Sequence, residues 1–344
     1  MLSSINLPIG GASAVVIFLF FHAPANAVPA KAALAEKVLQ MDIPGTALVM
    51  GAVISFILAF QYGGQEKPWS SSEVIGLLVG FGLITAAFVV LEWYQSERAM
   101  INGRILGQRT VWVSGLYAFF YAGAYFTLVY YLPIYFQSIG GTSPTTSGVR
   151  NLPLIIAVTI ATIVSGGLIT ATGVYAPILV GGAAVATIAS GLLYTLDIDT
   201  STGKWIGYQI LAGAGYGISF QVPMIATQGT VAPADLAPST ATVMFFQTVG
   251  GAFYLAAAQS AFLNEMVKRL VVTAPTVDPR AVVATGASEL RKFPEDVLPG
   301  ILQAYMWGIK IAIALAIVGA GVSFFASLAS RWKKLNTKNV SGGV

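Results

Sequence analysis

The chain has 344 residues, of which only 9% are charged and 56% are hydrophobic, with a formal net charge of +4. A soluble domain carries roughly a quarter charged residues, so this chain could not cover its apolar surface with polar groups in water. With no cysteine and one histidine it lacks the makings of disulfides, thiolate nucleophiles and Cys-bearing metal sites, and its scattered basic residues form no dense patch for nucleic acid.

A helix rises about 1.5 Å per residue, so about 20 apolar residues cross a hydrocarbon core of about 30 Å. Nine runs approach that length, at approximately 5–21, 43–60, 74–93, 111–136, 151–171, 174–196, 205–228, 239–263 and 304–329. Backbone groups in lipid must be satisfied internally, and runs this long suit helices rather than barrel strands. The expected fold class is an all-α membrane protein with about nine transmembrane helices.

The first run has no basic residue in its N-terminal flank, MLSSINLPIGG, and the small residues of PANA after it offer a competing signal-peptide reading that lacks a positive n-region. His22 falls at the mouth of this run and reads as a solvated interfacial group. Glu73, Glu92 and Glu265 fall at predicted helix ends, where solvated carboxylates are expected. Pro133, Pro153, Pro177 and Pro223 are expected to shape helix termini. The connection 264–300 contains VDPRAVVATGASELRKF, an amphipathic pattern expected to lie on the outer surface. Lys310 interrupts the last run, but residues 311–330 can cross without it, so its stem is expected to snorkel to the outer interface, with a transport role as the alternative.

Basic residues favour the cytoplasmic side. Lys31, Lys37, Arg98, Arg104, Arg109, Arg331, Lys333, Lys334 and Lys338 share one side, against Lys67, Arg150 and Lys204 in the short loops opposite. The C-terminal tail is therefore expected in the cytoplasm, where the sequon at Asn339 would be a chance match.

Within the runs, Tyr117, Tyr121 and Tyr125 recur every four residues, Gln221 and Gln228 continue a helical face begun by Gly213 and Gly217, and Gln247 shares a face with Tyr254. Buried amides and phenols in lipid need partners, so these side chains face other helices or a watery cavity. They are candidates for a substrate path, with interhelical glue as the alternative. Rings and carboxamides suit bulky, weakly polar compounds. No Walker motif, paired carboxylates, His cluster or Ser/Lys dyad occurs, so neither ATP drive nor an enzyme is expected, and no cofactor or metal.

Several segments carry a resemblance. INLPIGG at 5–11, SGVRNLPLIIA at 147–157 followed by SGGLITATGVYAP, GYQILAGAGYGISFQVPMIATQ at 207–228, then D-x-x-x-S-T-A-T and QTVGG, resemble the fungal drug:proton antiporter branch of the major facilitator superfamily, which has fourteen spans. In that family INLPIGG opens the sixth span. The resemblance therefore implies that 1–21 is the last span of an N-terminal half, 22–110 two central linker spans with their loops, 111–330 a six-span C-terminal half and 331–344 a cytoplasmic tail. It further implies secondary active, proton-linked efflux of small, largely apolar compounds by alternating access, with the plasma membrane expected and the vacuolar membrane as the alternative. The partners implied are the bilayer, a small-molecule substrate and protons, with no nucleic acid; the oligomeric state is left open.

The family's signature charged loop, its arginine-bearing fourth span and its antiporter motif precede INLPIGG, which leaves a truncated, non-transporting fragment or subunit as the alternative. In the C-terminal half, Gly166, Leu168 and Gly173 occupy the glycine and leucine positions of a degenerate signature loop, whose acidic position is Thr170. A tight turn without a charged latch is expected there. The family's first, second, fourth and fifth helices of each half line its cavity, which places Tyr117, Tyr121, Tyr125, Gln221, Gln247 and Tyr254 on lining helices.

Overall fold

The computed structural model describes residues 3–21 and 33–335. His22, the PANA segment and the Asn339 sequon lie outside the described residues. Residues up to Met41 form one compact unit and those from Asp42 onward another. In the first unit, α1 (Ser3–Phe20) carries Pro8 inside it and has its apolar stretch at Leu7–Phe20, and α2 (Leu34–Leu39) is a short helix.

Among the described residues, eight helical segments are long and apolar enough to cross a membrane, all in the second unit. The first two are α3 (Ile43–Tyr62) and α4 (Ser72–Gln95), joined through the short α5 (Gly103–Leu106) to α6 (Arg109–Ser138). Next in the chain are α7 (Pro144–Arg150), α8 (Leu152–Thr172), α9 (Ala176–Tyr194), α10 (Thr202–Phe220) and α11 (Val222–Gln228). Helices α12 (Leu236–Thr273), α13 (Pro279–Thr285) and α14 (Leu298–Leu328) complete the unit. Short connections make successive spans antiparallel, so one end of the bundle carries the turns near 103–109, 173–175, 229–235 and 329–335 and is called the tail end. The other carries 139–151, 195–201 and 274–297 and is called the loop end.

Local chemistry sets the boundaries. The Ser71 and Ser143 hydroxyls accept from the N–H groups of Val74 and Thr146 at the starts of α4 and α7, relieving orphan donors. Pro153, Pro177 and Pro223 sit in the first positions of α8, α9 and α11, where a missing N–H is harmless. Pro133 departs from that expectation: it lies inside α6, which continues to Ser138. Gly173 closes α8 at φ +70°, a conformation that a side chain disfavours.

α6 is the axis of the second unit and packs on both α12 and α14. Helices come together where residues are small, because no aqueous hydrophobic effect drives association in lipid. A Cβ at Gly213 or Gly217 would strike the carbonyls of Leu154 or Val158 on α8, and one at Gly250 would strike that of Phe119 on α6. The α3–α4 pair leans on α12, where Phe56 stacks on Phe253 with centroids 4.2 Å apart.

At the loop end, Val282 of α13 and Leu290 of the following 3-10 turn are buried, and Arg291 donates to the Ile139 carbonyl at 3.1 Å. The amphipathic segment thus folds back on the bundle, because its apolar face has protein to bury against; it does not form a free surface helix. Glu265 lies within α12, which runs ten residues past the predicted end at 263, and accepts from Arg269 Nε at 2.7 Å.

Candidate substrate cavity

A hollow of about 570 Å³ opens between α6, the α10–α11 junction and α12. These are the first, fourth and fifth spans of the six that begin at α6. Its walls are rings and aliphatic or thioether groups, among them Phe126, Tyr130, Phe220, Met224 and Met244. Gln221 and Gln247 bring carboxamides to it from opposite elements, with Thr248 beside the latter. The position of Gln221 is set by the break between α10 and α11: Pro223 starts a new helix, and Gln221 sits at the junction with φ −92° and ψ −11°.

The remaining tyrosines and Gln228 do other work. Tyr117 and Tyr121 are fully buried in a chain of hydroxyls between α6 and α10. Tyr117 OH donates to Ser219 Oγ at 2.8 Å, Ser219 Oγ to Tyr121 OH at 2.7 Å, and Tyr121 OH to the Gly215 carbonyl at 2.7 Å. Tyr216 continues the polar cluster to Ser190 of α9 at 3.0 Å. This is the interhelical bonding weighed from sequence as the alternative to a substrate path. Tyr125 is half-buried against the rings of Tyr216 and Phe220, with centroids 5.5 and 5.1 Å away. Tyr254 packs over Gly123 and Gly319 and edge-on to Phe119 and Phe120, so it parts company with Gln247.

Gln228 donates to Thr240 Oγ1 at 3.3 Å, near the tail end. The expected continuous face from Gly213 through Gln228 is therefore divided. Gly213 and Gly217 meet α8, and the helix is interrupted at Gln221 between α10 and α11. The lining residues missed from sequence, Phe126, Tyr130, Met224 and Met244, are ordinary apolar residues in apolar runs; only their shared orientation marks them.

At the degenerate loop, Gly173 takes the left-handed turn and its carbonyl accepts from the Leu335 N–H at 2.8 Å. Thr170 Oγ1 bonds back to the Gly166 carbonyl at 2.8 Å, Leu168 is exposed, and a Cβ at Gly166 would meet nothing within 4 Å.

Charged groups gather at the ends. Lys310 has a partner that sequence reading did not supply: its Nζ lies 2.9 Å from Asp197 Oδ2 and its side chain is only 18% exposed. The loop after α9 thus brings a counter-ion to a lysine whose stem extends towards the loop end. Partial burial disfavours an ionised Asp197, yet the Lys310 ammonium and the Ile198 N–H hold its carboxyl below the usual range. At the tail end, Arg104 grips Asp235 bidentately at 2.8 and 2.9 Å and also meets Glu97 at 3.1 Å, which raises its pKa.

Glu92 corrects an expectation: only 8% of it is exposed, and its Oε2 accepts from the Ile101 N–H at 2.6 Å. The bend after α4 covers it. Glu73, by contrast, is an exposed partner of Lys67.

A polytopic all-α membrane bundle is defined by these spans and their small-residue contacts. No family model matches the chain. Among curated relatives, it is 50% identical over 333 residues to MFS-type transporter grgE of Penicillium sp, covering 96% of this chain and 59% of the relative. It is 50% identical over 337 residues to MFS-type transporter GME11371 of Pestalotiopsis microspora, covering 97% and 62%. It is 47% identical over 344 residues to the probable efflux pump gsfJ of Penicillium aethiopicum, covering 99% and 62%.

Among solved structures, a bacterial homologue of the human lysosomal transporter Spinster, inward-facing and unoccupied, shares the fold with a TM-score of 0.53 at 14% identity. That match covers 77% of this chain and 61% of the other. The chain belongs to the major facilitator superfamily and spans about three-fifths of the length of these curated relatives.

Proposed function

We propose that this chain provides the substrate-binding C-terminal lobe, at 111–330, and the linker spans of an exporter of small, largely apolar compounds working by alternating access. The observation that carries the proposal is the cavity that joins Gln221 and Gln247 across a ring-lined space. Such walls bind by area, while each amide can donate or accept and so tolerates varied polar substituents. Relatives named as efflux pumps support the export direction. Proton exchange is the proposed drive, since the chain carries no phosphate-cradling motif. The excess of basic residues at the tail end supports its assignment to the cytoplasmic side, and the plasma membrane is the proposed location.

The test is accumulation of Nile red, a neutral apolar dye, in pump-deficient yeast expressing the chain. Retention should fall relative to empty-vector cells, recover when an uncoupler collapses the proton gradient, and shift in compound preference in Gln221→Leu and Gln247→Leu. Retention equal to that of empty-vector cells, at verified membrane abundance, would overturn transport by this chain.

A further inference from the structure

Asp42 and Glu92 meet at the tail end, where the start of α3, the end of α4 and the bend leading to α5 come together. Both are buried, 1% and 8% exposed, and their carboxyls are hydrogen-bonded to each other. Asp42 Oδ1 accepts from Gln95 Nε2 at 2.6 Å and the Gly45 N–H at 3.0 Å, and its Oδ2 from the Met100 N–H at 3.1 Å. Glu92 Oε2 accepts from the Ile101 N–H at 2.6 Å, while its Oε1 is sealed from solvent and meets no donor.

A bond between two carboxyls needs a proton, because an ionised carboxylate offers only lone pairs. Two anions in one buried site do not both persist without a compensating cation. The charges on the elements packed here do not supply one. Arg104 is engaged by Asp235 and Glu97, Arg98 stands in the bend, and none of these four is among the main influences on either carboxyl. Glu73 of α4 and Glu265, Lys268 and Arg269 of α12 lie towards the loop end. The three N–H donors that converge on Asp42 oppose a metal ion, and the sealed Oε1 leaves no room for water. The same donors mark Asp42 as the anion of the pair and Glu92 as the neutral acid.

The backbone around the pair is under strain. Asp42 at φ +44° and Ser96 at φ +55° are the non-glycine residues with positive φ among those described. Such backbone is costly and persists only while its surroundings hold it. Here the two carboxyls do so, through the N–H groups of Met100 and Ile101.

We propose that Asp42 and Glu92 form a proton-binding latch, in which one proton carried on Glu92 Oε1 and donated to Asp42 closes the bend over the ends of α3 and α4. Opening breaks the Glu92 O–H bond, gives the proton to water and leaves Glu92 as a carboxylate, freeing the Met100 and Ile101 N–H groups. The closed latch thus holds one proton that the open one lacks at any pH above the ordinary carboxyl range, about 4. Its opening equilibrium rises about tenfold per pH unit. The latch is separate from Gln221 and Gln247 and does not depend on the function proposed for them.

Amide hydrogen exchange at Met100 and Ile101, in the purified full chain in nanodiscs between about pH 5 and pH 9, tests it. Glu92→Gln is the reference, since its amide can donate to Asp42 but has no proton to release, and it cancels the intrinsic pH dependence of exchange. The ratio of wild-type to variant rates should climb about tenfold per pH unit until the bend is mostly open. A ratio that stays constant would overturn the proposal. Infrared spectroscopy gives a reading on the wild type alone: a protonated-carboxyl C=O band should be present near neutral pH and vanish on alkaline titration. Absence of that band at neutral pH, or its persistence at equal intensity in folded Glu92→Gln, would likewise overturn it.

Discussion

The helices α4 and α6 are both crossing-length, yet they are built on opposite plans. The best window of α4 has a mean hydropathy of 2.7 with 11% of it buried, whereas that of α6 has 1.3 with 67% buried. In water the greasiest helix would be the core; here it faces outward, and the helix rich in tyrosine, serine and threonine is the axis. The hydrocarbon solvent accepts Leu, Val and Phe on the outside without cost, while hydroxyls must find partners and do so only inside. Hydropathy in this chain therefore reads as exposure to lipid, and its local deficit marks the centre.

Four experiments can break or sharpen that contrast. The largest effect belongs to Gly250→Leu, whose side chain must enter the Phe119 backbone of α6. A loss of at least about 3 kcal/mol, or of the folded protein altogether, is expected by thermal unfolding and size-exclusion chromatography. The same change at Gly80 of α4, which has nothing within 4 Å, should leave both readouts unchanged. Equal damage at the two positions would refute the contrast.

Next comes Asp42→Ala, with a loss of about 2 kcal/mol, since Asp42 caps α3 and ties α4 to the bend after it. Burial alone would raise the pKa of Asp42, but its bonds with Glu92, Gln95, Gly45 and Met100 outweigh this and hold it below the ordinary 3.8. A carboxyl with a depressed folded-state pKa stabilises fully above its unfolded value and loses that contribution as pH falls through the folded one. The Tm gap between wild type and Asp42→Ala should thus be wide at pH 6 and shrink as pH falls below about 4. A gap that widens toward acid would contradict the assigned bonding.

Smaller again, Ser219→Ala breaks the hydroxyl chain joining Tyr117 and Tyr121, and should cost about 1 kcal/mol in unfolding measurements. The smallest shift is expected for Arg104→Ala. The Arg104 side chain is 54% exposed, so its ties to Asp235 and Glu97 are screened, and the Tm difference should vanish in high salt.

Much of the architecture was legible because solvent in a bilayer is uniform along a span. Length and apolarity gave nine runs, of which eight are crossing-length helices among the described residues while the first is the shorter apolar stretch Leu7–Phe20, and turn chemistry at Pro153, Pro177 and Gly173 marked ends that the structure retains. The faces were less legible. Periodicity put Gly213, Gly217, Gln221 and Gln228 on one stripe because it assumes an unbroken helix, and the break before Pro223 removes that assumption. Gln221 and Gln247 do meet at one cavity, but Tyr117 and Tyr121 of α6 spend their hydroxyls on Ser219 and Gly215 of α10. That choice depends on Ser219, which no spacing rule singles out. Glu92 was misjudged because its partner, Ile101, comes from a loop whose course hydropathy does not describe, and for the same reason Asp197 could not be read as the counter-ion of Lys310.

The break at Gln221 also turns one rod into two levers. The upper lever is clamped to α8 by direct backbone contact at Gly213 and Gly217, with no slack to give. The lower one, seven residues long, packs on α6 and α12, buries Val222, Ala226 and Thr227, and bonds to α12 from Gln228 to Thr240 at 3.3 Å. Phe220 and Met224 thus wall the same hollow from two helices whose anchors are separate.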